Sequence, residues 1–228
     1  MRKLLQIGAL LLVAAMSAPA QNLQAVLNSM DRAAASFRST EADFTWDQYT
    51  RAVDETDHQK GKIYFRRGGK DGREIQMAAD IAEPEVKVVV YSDGQVKMYQ
   101  PKIDQLTVYN AGKNKQEMES FMVLGFGGRG HDLPASYDVT YAGTEMVDGV
   151  KTEKLVLVPK SEKTRNTFNK IVLWIDPARG ISIQQQLFTP SGDYRLAKYS
   201  NIKINQKISD DVYKLKTTNK TKTLTPQG

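Results

Sequence analysis

From residue 43 onward the hydrophobic pattern has a period of two, and it holds that period almost to the end of the chain. Phe44, Trp46 and Gln48 alternate with Asp43, Thr45 and Asp47. In the next run Ile63, Phe65 and Arg67 share one face, while Lys62, Tyr64 and Arg66 share the other. Successive side chains of a strand point to opposite faces, so this alternation marks half-buried strands. Further runs lie at 75–79, 86–91, from 96, and at 106–109, 137–144, 152–158, 170–176, 181–189, 194–204 and 212–215. Turn chemistry separates them, including Asp93-Gly94, Asp148-Gly149, Pro177-Ala178-Arg179-Gly180 and Pro190-Ser191-Gly192-Asp193. Asp-Gly between two apolar runs is the strongest short hairpin signal. No strand–helix–strand rhythm exists, which excludes a doubly wound parallel sheet. The pattern predicts a mainly β, α+β domain: about eleven strands in a large, curved antiparallel sheet with helices against it.

Two stretches break the period. Leu23, Val26, Leu27, Met30, Ala34 and Phe37 fall on one stripe of an amphipathic helix over 22–37, with Asn22 as its cap. Met118, Phe121, Met122 and Gly125 repeat helical spacing briefly, before Gly125-Phe126-Gly127-Gly128-Arg129-Gly130. This second segment is either a helix plugging the concave side of the sheet or a lid over it. Methionine adapts to irregular apolar pockets and glycine permits hinge motion, so the two readings are compatible.

Residues 1–20 read as a secretory signal peptide. Arg2 and Lys3 precede an apolar run over 4–16, and Ala18-Pro19-Ala20 supplies small residues before a cleavage ahead of Gln21. About 13 apolar residues are too few to span a bilayer comfortably. The expected product is an exported, periplasmic domain over 21–216, followed by a flexible polar tail over 217–228. Its charge is uneven, with a net −5 over 21–150 and +9 over 151–228. The cations of the basic part alternate with apolar residues, as at Lys198, Lys203 and Lys207, so they read as a solvated sheet face rather than a nucleic-acid surface.

Catalytic chemistry finds little support. The chain has no cysteine and only two histidines, His58 and His131, which excludes thiolate nucleophiles, Cys-ligated metals and histidine-rich centres. The Gly-rich run at 125–130 follows a helical pattern instead of a strand and lacks the Lys-Ser/Thr pair of a phosphate loop. His131-Asp132 has no Gly-x-Ser-x-Gly elbow to work with, and a histidine beside such a loop reads as solvated. Asp210-Asp211 reads as a turn. No enzyme, metal or cofactor is expected.

Several separated motifs, taken in order, resemble one family. They are Ala42-Asp43-Phe44-Thr45 after the first helix, and Gly61-Lys62-Ile63-Tyr64-Phe65-Arg66-Arg67 in the second strand. Pro84, Ser92-Asp93-Gly94 and Tyr99-Gln100-Pro101 follow, then Ser120-Phe121-Met122-Val123-Leu124, the 171–176 strand and Ile208-Ser209-Asp210-Asp211-Val212-Tyr213. This order is similar to that of the periplasmic lipoprotein carriers of the LolA family, over nearly all of 22–216. The resemblance implies an unclosed β-barrel with helices covering an apolar concave cavity. It also implies a monomeric shuttle that binds acylated lipoproteins or other lipids. Its partners would be an inner-membrane lipoprotein-releasing transporter and an outer-membrane acceptor. Alternatives on the same scaffold are a carrier of another lipid beside an export pump, and an envelope-stress sensor or interaction module. The cavity residues expected from parity and resemblance are Phe44, Trp46, Ile63, Phe65, Met118, Phe121, Met122 and Leu124. Arg67 shares the inward face of Ile63 and Phe65 and is expected at the rim or as a latch on lid carbonyls around 121–126.

Overall fold

The computed structural model describes residues 18–68, 74–112 and 115–226. The signal segment expected at 1–20 lies outside them up to residue 17. Twelve strands form one sheet: β1 (Ser39–Thr50), β2 (Glu55–Gly68), β3 (Glu74–Glu83), β4 (Lys87–Ser92), β5 (Gln95–Gln100), β6 (Gln105–Asn110), β7 (Tyr137–Val147), β8 (Val150–Pro159), β9 (Lys170–Asp176), β10 (Ile181–Phe188), β11 (Tyr194–Ile204) and β12 (Lys222–Leu224). Their spatial order is β12-β6-β5-β4-β3-β2-β1-β11-β10-β9-β8-β7. The sheet is unclosed, because β12 and β7 are its two ends and do not pair. Neighbouring strands run antiparallel throughout, except that β12 lies parallel to β6.

Turn chemistry does what the dipeptides predict. Asp93 and Gly94, and likewise Asp148 and Gly149, all adopt positive φ, as a two-residue hairpin of matching twist requires. The helices are α1 (Ala18–Ser36), α2 (Lys115–Val123), α3 (Leu133–Ser136) and α4 (Glu162–Thr167). Neither α3 nor α4 carries a periodic stripe long enough to read from sequence. No helix among the described residues is long and apolar enough to cross a membrane.

Three expectations are corrected. Asn22 does not cap the first helix, which already includes Ala18. The strand expected at 212–215 is absent, and a 3-10 turn at Asp210–Tyr213 takes its place. Ser209 Oγ accepts from the Asp211 amide there, and the Arg66 guanidinium stacks 4.2 Å over the Tyr213 ring. The polar tail is likewise not loose throughout. Asp104 accepts hydrogen bonds from Thr218 Oγ1 at 2.7 Å and Thr221 Oγ1 at 2.6 Å, which brings β12 onto the β6 edge.

The core lies on both faces of the C-terminal half of the sheet. On the inner face, Val26, Leu27 and Met30 of α1 pack against Leu155, Leu157, Ile171, Leu173 and Ile175. Val147, Val172, Trp174 and Ile183 form a smaller cluster. Beyond α1, a third cluster unites Phe37, Phe65, Phe126 and Ile181. This last one plugs the inner face where β1 and β2 meet the glycine-rich loop.

Candidate functional site

The ladder register places a continuous apolar surface on the inner face of β1 to β5. Directly opposed residues of an antiparallel pair share a face, so the pairs Phe65↔Met77, Met77↔Tyr91 and Tyr91↔Val96 make one row across four strands. Ile63↔Ala79, Ala79↔Val89 and Val89↔Met98 make the next row. Ala42 lies opposite Ile63, and Phe44 opposite both Gly61 and Tyr199. Ile63, Met77, Ala79, Val89, Val96 and Met98 are only half-buried, whereas Phe65 is 3% exposed. These residues form a continuous apolar strip that is partly open to water.

The predicted cavity residues divide into two groups. Phe44, Trp46, Ile63 and Phe65 do share the inner face of β1 and β2. Phe65 and Met122 meet in the cluster with Phe37 and Phe126, the Phe37 and Phe65 rings lying 5.7 Å apart. Leu124 and Phe121 instead belong to the core under α1, where Phe121 packs edge-on against Phe168 at 5.5 Å. Met118 lies half-buried on α2.

Arg67 ends the inward row of β2. Its Nη2 donates to the carbonyl oxygen of Gly127 at 2.6 Å, one residue beyond the predicted stretch. Its guanidinium lies 6.0 Å from the Phe37 ring, and its backbone N–H donates to Arg38 O at 2.9 Å. The residue as a whole remains exposed, as a long stem at a strand end permits.

The segment 118–127 is held at further points. The Ser182 amide donates to Gly125 O at 3.0 Å. On the β4 side, the Tyr91 hydroxyl donates to Glu119 Oε1 at 2.6 Å. Tyr91 has no exposed surface, and burial first, then the bond to Glu119, pushes its phenol well above the ordinary range. Tyr199, also raised by burial, packs edge-on against Phe126 at 4.9 Å. Sequence reasoning missed Tyr91, Glu119 and Tyr199. A tyrosine within the apolar run of β4 is the one signal that a buried hydroxyl needed a partner.

The glycine-rich run has a packing explanation. A Cβ on Gly130 would stand 2.5 Å from Leu27 O, so the loop approaches the α1 backbone too closely for any side chain. His131 is exposed, as expected, and is also tied to α1. Its Nδ1–H donates to Asp31 Oδ2 at 2.5 Å, its backbone N–H reaches Asp31 Oδ1, and its Nε2 meets Gln24. Burial raises the Asp31 carboxyl, but the combined hydrogen bonds and charge of His131 outweigh it and hold that group below its ordinary value.

A pocket of about 640 Å³ opens between the ends of β3 to β5 and the segment after Ser209, and its lining includes Asp80, Val88 and Tyr99. Ile81, Val86, Pro101 and Val212 also line it, so its wall is mainly apolar, with Asp211, Lys214 and Lys216 along one side. The pocket opens on the opposite face of the sheet from the apolar strip under α2, since Asp80, Val88 and Tyr99 alternate with Ala79, Val89 and Met98. Among the described residues no group of three or more His, Asp or Glu side chains could hold a metal.

The profile of the family described as outer membrane lipoprotein carrier protein LolA matches residues 35–216. The chain belongs to the LolA family. No curated protein matches the sequence. Among solved structures, MucB is similar at a TM-score of 0.54 and 15% identity, over 86% of this chain and 63% of MucB. The chain thus spans less than two-thirds of that protein. An uncharacterised conserved protein from Thermus thermophilus gives a TM-score of 0.53 at 12% identity, over 89% of this chain and 98% of that one. The Mycobacterium tuberculosis lipoprotein LppX gives 0.51 at 12% identity, over 83% and 98%. At these identities the likeness shows a shared fold. A LolA-family chain of this architecture has the scaffold of a lipid-binding or lipoprotein-binding carrier.

Proposed function

We propose that this protein is a periplasmic carrier that receives the acyl chains of lipoproteins from an inner-membrane transporter and delivers them to an outer-membrane acceptor. The observation that carries this reading is the half-buried apolar strip on the inner face of β1 to β5, roofed by α2. Export would follow from the signal segment at 1–20. Acyl chains expose many CH₂ groups, each costing about 0.8 kcal/mol in water, so crossing an aqueous compartment demands an apolar shelter. The Phe37–Phe65–Phe126 plug occupies part of that shelter in the described state. Cargo entry therefore displaces the plug, and release restores it. That exchange keeps affinity moderate, as a carrier between two membranes requires. In this reading Arg67 latches the segment 118–127 through Gly127.

Native mass spectrometry of the protein purified from the envelope tests the proposal. The expected result is a population carrying lipid or lipoprotein, and ligand-free protein from a cell extract kept intact would oppose it. Trp46→Asp supplies a second test. Trp46 lies on the inner face opposite Ala197 and Gln59 and is half-buried. A carboxylate there should weaken uptake of a fluorescent acyl probe by about tenfold. The melting temperature should fall by only about 5 °C, because the site is partly open to water. Parallel losses of binding and folding would make Trp46 a plain core residue.

A further inference from the structure

We infer that Tyr91 and Glu119 form the polar end of the acyl site and select chains ending in a neutral ester or amide over chains ending in an anion. This rests on the carrier reading and names the ligand class for the same strip. Tyr91 stands in the row Phe65–Met77–Tyr91–Val96, so its hydroxyl rises from the apolar floor itself. Glu119 meets it from α2, whose Met122 and Val123 pack beside Phe65 and Met77. The 2.6 Å bond between them lies at the edge of the apolar layer, beside the Asp93-Gly94 turn. Any displacement of α2 by an entering chain separates the pair and leaves a buried hydroxyl and a half-buried carboxylate without each other. Such orphans cost free energy unless the ligand replaces the lost partner.

The replacement chemistry follows from the two groups. A freed phenol O–H donates to a carbonyl oxygen, and a carboxylate accepts from an amide N–H or a hydroxyl. An ester or amide at the end of an acyl chain offers the carbonyl, and its amide or glycerol portion offers the donor. A sulfate, phosphate or free carboxylate instead brings a second negative charge against the half-buried Glu119. The nearby cations do not cancel this. Lys115 at the start of α2 is paired with Asp93 at 3.3 Å, and Arg67, two residues past Phe65, is bonded to Gly127 and exposed. No cation among the described residues is paired with Glu119.

The test is displacement of a bound fluorescent acyl probe from the full-length exported protein at neutral pH. Monopalmitoylglycerol provides the neutral end and hexadecyl sulfate a permanently anionic one, both kept below micelle-forming concentrations. The wild type should bind the glycerol ester about tenfold more tightly. Glu119→Gln, which keeps shape and the bond to Tyr91, should bring the two within about twofold by strengthening the sulfate. Tyr91→Phe should weaken the ester by about fivefold and leave the sulfate unchanged. Equal displacement by both ligands in the wild type, or an unchanged ratio in Glu119→Gln, overturns the inference while leaving a carrier. Displacement by neither ligand would remove the carrier reading and this inference together.

Discussion

Gly180→Ala should lower the unfolding free energy by about 3 kcal/mol or more, a fall of about 10 °C in melting temperature. Gly180 closes the turn between β9 and β10 at φ +65°, and its Cα faces α1. A Cβ there would stand 2.2 Å from Ser29 O and 2.9 Å from the Ala33 methyl. The helix backbone cannot yield locally, so α1 must lift from the cluster of Leu155, Leu173 and Ile175. Gly149→Ala is the matched control. It shares the positive φ, at +81°, but meets nothing within 4 Å, and should cost only about 1 kcal/mol. Equal losses at the two sites, measured by urea unfolding, would show that backbone conformation and not the seat of α1 sets the penalty.

Arg67→Leu should leave the fold intact and slow the delivery of bound acyl cargo to acceptor vesicles or protein by about tenfold. Leucine keeps an apolar side chain at the end of β2 but can neither donate to Gly127 O nor place a guanidinium near the Phe37 ring. The closed, empty state then loses a charge-assisted bond, so the balance shifts toward retaining cargo. Lysine at the same position can still donate one bond and should restore part of the rate. Wild-type delivery by the leucine variant would reduce Arg67 to a rim residue.

The strands were legible because each is bounded by its own chemistry. β4 and β5 are joined by Asp93-Gly94, and β9 and β10 by a Pro-x-x-Gly turn, so even their ends could be read. The inward set Phe44, Trp46, Ile63 and Phe65 was legible for the same reason, since parity alone assigns a face. What stayed hidden depends on contacts across the chain. His131 meets Asp31 from far along the sequence, and Tyr91 meets Glu119 from a different element. Nothing local announces either pair. Phe121 and Leu124 look equivalent to Met122 in sequence, yet one turn of helix sends them to the core under α1 instead. The segment 210–213 was misread because Val212 and Tyr213 have strand-like composition. The Ser209 hydroxyl and the stacking of Arg66 on Tyr213 bend the chain into a tight turn there.

The seam between β1 and β11 joins residues from opposite ends of the chain, with Phe44 set beside Tyr199. The meander from β1 to β6 and the one from β7 to β11 can each gather through near neighbours. The plug of Phe37, Phe65, Phe126 and Ile181 over the strip, however, is complete only once these two halves zip together along that seam, after the last long strand is available. Such distant pairing is slow, on the order of milliseconds to seconds. A chain awaiting it lacks that plug, and its two meanders remain undocked. For a polypeptide exported as proposed, late closure keeps it translocatable until all of β11 has emerged.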